Sequence, residues 1–78
     1  MESKYKKAFA KSLSLDEAKI DDKLKYNDIP EWDSIGHMTL ISELESEFEI
    51  SMETDDIIDF SSYKKGKEIL KKYKIEIN

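Results

Sequence analysis

Asp33, Ser34 and His37 put a carboxylate, a hydroxyl and an imidazole within five residues. Those are the ingredients of nucleophilic catalysis, but the spacing opposes it. Ser34 and His37 fall three apart on one helix, and no third residue is placed to orient the imidazole. Other chemistries fail on residue count. The chain has no cysteine, hence no disulfide, no Cys-bound zinc and no thiol nucleophile, and its one histidine makes no cluster. Its two glycines, Gly36 and Gly66, form no phosphate-cradling loop, and the calcium-loop pattern is absent. Asp55 and Asp59 share a helical face and are expected to bind Ca²⁺ or Mg²⁺ only weakly. The sequence reads as a non-enzyme, with Asp33-Ser34-Ile35 as its most informative feature.

Charge is segregated along the chain. Residues 1–27 hold seven Lys and five acids, residues 28–59 eleven acids and no Lys, and residues 60–78 six Lys and two acids. The acidic middle would repel phosphates, so nucleic acid is not an expected partner; a basic protein surface is. At 78 residues there is room for one domain, 1–78, expected to be a monomer. No apolar run could span a membrane and the start resembles no secretory signal, which predicts a cytoplasmic protein without membrane insertion.

The elements that must position Ser34 are helices. Tyr5, Ala8, Phe9, Ser12 and Leu13 predict an amphipathic helix over about 3–13. Residues 14–33 predict a long loop pinned by Leu15, Ile20, Leu24 and Ile29, functional or hiding a short helical turn. Trp32 is expected to anchor that loop. Asp33 and Ser34 are cap residue types for a helix whose stripe is Ile35, Met38, Leu40, Ile41, Leu44 and Phe48. If Ser34 is the cap, its loss costs about 0.5–2 kcal/mol. Thr54 is expected to cap a short third helix with Ile57, Ile58 and Phe60 turned inward. Ser61-Ser62 begin a last helix to about Tyr73, with Ile69, Leu70 and Tyr73 inside. Gly66 implies close packing or a tolerated cost. The predicted fold is all-α: three main helices plus a short one, with a long loop between helices 1 and 2.

Trp32-Asp33-Ser34-Ile35-Gly36-His37-Met38-Thr39-Leu40-Ile41 resembles the Asp-Ser-Leu region of acyl carrier proteins. Leu44-Glu45-Ser46-Glu47-Phe48-Glu49-Ile50 is similar to that family's continuation, and Thr54-Asp55-Asp56-Ile57 and the last helix match it in order and spacing. The likeness covers essentially the whole chain. It implies that Ser34 carries a 4′-phosphopantetheine arm, transferred from coenzyme A by a phosphopantetheinyl transferase, with acyl groups borne as thioesters. It implies that Asp33 helps hold Mg²⁺ in the transferase complex. It makes the helix after Ser34 a docking surface for basic patches on partner enzymes, with Ile35, His37, Met38, Glu43, Glu45, Glu47, Asp55 and Asp56 as candidates. It also implies a cleft sheltering the acyl chain, for which Leu40, Ile41, Leu44, Phe48, Ile57 and Phe60 are candidates, all expected, like Met38, to be core residues first.

Ile35, Gly36 and Thr39 depart from the Leu and two acids usual in fatty acid carriers, and Gly36 is expected to weaken the first turn. With Trp32 and His37, the pattern looks more like specialised carriers of polysaccharide, sugar-modification or secondary-metabolite pathways, loaded by a dedicated ligase or acyltransferase. Two alternatives remain open: an aminoacyl or peptidyl carrier, and a non-enzymatic acidic interaction module.

Overall fold

The computed structural model describes residues 2–77. Four helices follow in order: α1 Glu2–Leu13, α2 Ser34–Phe48, α3 Thr54–Asp59 and α4 Tyr63–Lys71. Among the described residues there is no strand, only one antiparallel bridge between Lys25 and Ser62. The chain is an all-helical bundle with a long connection between α1 and α2, as the periodicity predicts. No helix among these residues is long and apolar enough to cross a membrane.

Helix α1 buries Tyr5, Ala8, Phe9 and Leu13, one stripe at helical spacing, against α2. Ser14, in the left-handed region at φ 55°, ends it. The connection contains one short 3₁₀ turn, Glu17–Lys19, and is held inward by buried Ile20, Leu24 and Trp32. Leu15 and Ile29 pack against the core while partly buried. Its second half is also bonded to the approach to α4. Tyr26 N–H donates to the Ser61 carbonyl and Tyr63 N–H to that of Leu24, both at 2.9 Å. These bonds satisfy backbone groups that a loose loop would leave to water.

In α2 the residues facing the core are Leu40, Ile41 and Leu44. Ile35 and Met38 leave the expected stripe and are 79% and 55% exposed. Steps of three lag a helical turn by about 60°, so two such steps back from Ile41 carry Ile35 round to solvent. Phe48 is only partly buried, with the Lys4 ammonium 5.3 Å from its ring centre. Glu49 closes the helix in the left-handed conformation, φ 53°.

In α3, Thr54 is the first helical residue; Glu53 holds the cap position without a side-chain bond. Ile58 faces solvent at 72% exposure, contrary to the inward placement expected from its type. Asp56 takes the buried position instead, because Lys72 Nζ (2.6 Å) and the Tyr73 hydroxyl both donate to its carboxylate. In α4, Ser62 is the cap, accepting from Lys65 N–H at 2.9 Å. The helix ends at Lys71, short of Tyr73, which stays half-buried while Ile69 and Leu70 are buried. Gly66 is a close-packing position: a Cβ there would run into the Phe60 ring and the Tyr5 hydroxyl.

Phe9 lies among four aromatic rings, with centroids at 5.0 Å (Tyr5), 5.3 Å (Trp32), 6.1 Å (Phe60) and 5.0 Å (Tyr63). The edge-on arrangements with Tyr5, Trp32 and Tyr63 suit the ring quadrupoles. The Tyr5 hydroxyl donates to the Tyr63 carbonyl at 2.6 Å, and burial pushes its phenol far above the usual range, keeping it a donor. These contacts join α1, the connection and α4 in one core.

Candidate functional site

Ser34 is the first residue of α2 and is exposed. The cap is its neighbour: Asp33, in extended conformation, accepts from Gly36 N–H through Oδ1 at 2.8 Å. The helix therefore does not draw on the Ser34 hydroxyl for its cap. One Asp33 oxygen is committed to that bond, and the second is left for another partner. The N–H groups of Ser34 and Ile35, in the first turn, have no intrahelical acceptor.

Gly36 stands where the chain packs closely. A Cβ at this position would collide with the Glu31 carbonyl oxygen and approach Leu13 Cδ2 to 3.1 Å. The missing side chain lets the end of the connection lie against the first turn of α2, fixing the backbone that presents Ser34.

His37, expected as a docking residue, is tied into the fold around it. Its ring is half-buried, with Tyr26 at 5.2 Å and Phe60 at 6.1 Å edge-on and the Trp32 ring centre 6.2 Å away in a nearly parallel plane. Trp32 is fully buried and its Nε1 lies 3.0 Å from His37 Nδ1, while His37 Nε2 lies 2.8 Å from the Ile57 carbonyl oxygen. An indole nitrogen only donates, so Nδ1 accepts and Nε2–H donates to Ile57. The neutral imidazole thus satisfies both neighbours and bridges the connection, α2 and α3. With both nitrogens engaged, it is not positioned as a base for Ser34.

A pocket of about 350 Å³ opens beside Ser34. Tyr26, His37, Met38, Ile57, Ile58, Phe60 and Ser61 line it with Ser34. Of the residues considered for sheltering a chain, Ile57 and Phe60 border this pocket, as does Met38. Leu40, Ile41 and Leu44 lie in the closed core, and Phe48 packs at the far end of α2. Tyr26 and Ser61 escape a reading by periodicity because a loop-to-loop hydrogen bond, not helical spacing, brings them together.

The acids are more engaged than their number suggests. Glu43 pairs with Lys11 at 3.5 Å, and Glu45 accepts from Met52 N–H at 2.8 Å, tying α2 to the segment before α3. Glu47 is half-buried and Asp55 exposed. Asp56, expected as an exposed docking acid, is buried; hydrogen bonds from Lys72 and then Tyr73 hold its carboxyl below the ordinary 3.8. Among the described residues no three His, Cys, Asp or Glu side chains gather as metal ligands, and Asp55 and Asp59 remain an exposed pair. Against family models, curated proteins and solved structures, the chain finds no match.

Proposed function

We propose that the chain is an acyl carrier, with Ser34 as the attachment point of a 4′-phosphopantetheine arm. The observation that carries this reading is an exposed serine at the head of a helix capped by its neighbour, on the rim of an apolar pocket. In the attachment step Ser34 Oγ attacks the pantetheine-bearing phosphorus of coenzyme A. The P–O–P bond breaks, adenosine 3′,5′-bisphosphate leaves, and the hydroxyl proton passes to a base of the transferase. The residues present fit the group. The product phosphodiester is an anion at a helix N-terminus, where the unpaired N–H groups of Ser34 and Ile35 and the helix dipole favour negative charge. Asp33 offers a hard oxygen to Mg²⁺ held by the transferase. Once attached, the arm supplies the thiol that this cysteine-free chain lacks, and acyl groups ride on it as thioesters.

Partner enzymes of this carrier, a loading ligase or acyltransferase and those downstream, would meet Ile35 and Met38 exposed beside the arm. Glu31, Asp33, Asp55 and Asp59, all exposed, offer surrounding negative charge to basic patches. Such charge acts mainly on encounter rate and specificity.

Incubation with coenzyme A, Mg²⁺ and a promiscuous phosphopantetheinyl transferase, followed by peptide mapping, tests the reading. The arm is expected on the peptide containing Ser34 and absent from Ser34→Ala. An unmodified wild type, or a modified Ser34→Ala, refutes it.

A further inference from the structure

We propose that His37 is a size filter, confining the cargo of Ser34 to short acyl groups held in the surface pocket and excluding long chains from the interior. The inference rests on the carrier reading above and deepens it by naming the cargo class.

Three observations converge on this ring. The pocket beside Ser34, at about 350 Å³, is near the small end of the range for ligand sites. Its lining is largely apolar, with only hydroxyl and imidazole groups for polarity, which suits an uncharged acyl group of a few carbons. Inward of it Trp32, Phe9, Leu40 and Leu44 are fully buried and packed together, so a longer chain can enter only by parting them. Between pocket and core stands the imidazole, bonded on one side to the Trp32 indole and on the other to the Ile57 carbonyl.

A long chain entering between α2 and α3 must break the Nε2–H bond to Ile57. It must also turn the ring away from Trp32, leaving the buried indole N–H without an acceptor. Short acyl groups meet neither obstacle. Met38 and Ile58, both largely exposed, lend them apolar walls without any movement of the helices.

The test loads the protein with acetyl-, butyryl-, hexanoyl-, octanoyl- and decanoyl-pantetheine arms from the matching coenzyme A thioesters, then times thioester cleavage by hydroxylamine. In wild type, acetyl and butyryl thioesters are expected to be cleaved more slowly than in the free coenzyme A thioesters. Protection should not grow from hexanoyl to decanoyl. In His37→Ala, octanoyl and decanoyl should become at least about fivefold more protected than in wild type as the interior opens to them.

Trp32→Phe keeps an aromatic ring in the connection while removing the N–H that fixes the imidazole, together with part of the buried indole's volume. It should shift protection the same way even if His37→Ala folds poorly. A structural His37 would lower the melting temperature alike for every cargo and leave long thioesters unprotected in both variants, which overturns the filter. So does a wild type already shielding decanoyl at least about fivefold better than butyryl. No arm on Ser34 at all would remove the carrier reading, and this proposal with it; an arm with the wrong chain-length pattern removes the filter alone.

Discussion

Replacing Ser34 with Ala removes a hydroxyl that the helix cap does not use. Since Asp33 makes the cap, Ser34→Ala should change stability by less than about 0.5 kcal/mol in urea unfolding, while Asp33→Ala should lose about 1 kcal/mol. By residue type alone, Asp33 and Ser34 were equal candidates for that cap. Both residue types can cap, and only the backbone shows which one stands at the boundary. At Asp56 the depressed native carboxyl sets the sign of a pH effect. Its bonds to Lys72 and Tyr73 contribute stability that is full above the unfolded value near 3.8 and lost as pH falls through the lower native value. Asp56→Asn should therefore be destabilising at pH 7, with the gap to wild type closing in acid. Unfolding curves at neutral and strongly acidic pH would check it. The sequence could not reveal this role, since Asp56 reads like any acid in a first turn and its partners lie sixteen and seventeen residues away.

At the scale of the helix, the two glycines are informative. Helix propensity alone favours Ala over Gly by about 1 kcal/mol. Gly66→Ala should nonetheless destabilise by about 1–3 kcal/mol, because the added methyl meets the Phe60 ring and the Tyr5 hydroxyl. Gly36→Ala should be destabilising too, its methyl meeting backbone at Glu31; thermal melts of both variants decide the matter. Glu49→Gly should gain up to about 1 kcal/mol, because Glu49 holds the left-handed position at the end of α2 where glycine carries no penalty.

Helix number, order and approximate bounds were legible from the spacing of Tyr5, Phe9, Leu13, Leu40, Ile41, Leu44, Ile69 and Leu70. Which side short α3 would turn inward was not, because six residues make too little stripe and the Asp56 network outweighs the apolar Ile58. Ser34 stood out by its place in a motif. Its pocket did not, since Tyr26 and Ser61 meet through backbone bonds between segments far apart in sequence.

For the molecule as a whole, aromatic packing gathers around Phe9. Its ring touches aromatics from α1, the connection, the stretch after α3, and α4, so Phe9→Ala should cost about 3–5 kcal/mol, enough to threaten so small a domain. Phe48→Ala should cost less, because Phe48 is only half-buried and carries Lys4 over its face. A pair of chemical denaturation curves would rank them. Charge acts at the same scale: residues 28–59 hold eleven acids and no Lys, and on the proposed carrier reading arm transfer should slow as salt rises. The single tryptophan, meanwhile, is sealed beneath the loop with its N–H on His37 and its plane 19° from that ring. Excited in the ultraviolet, it is a built-in fluorophore one residue from Asp33 and two from Ser34. Its emission, blue-shifted by burial and sensitive to the imidazole, would register disturbance of that corner in real time, with no dye attached.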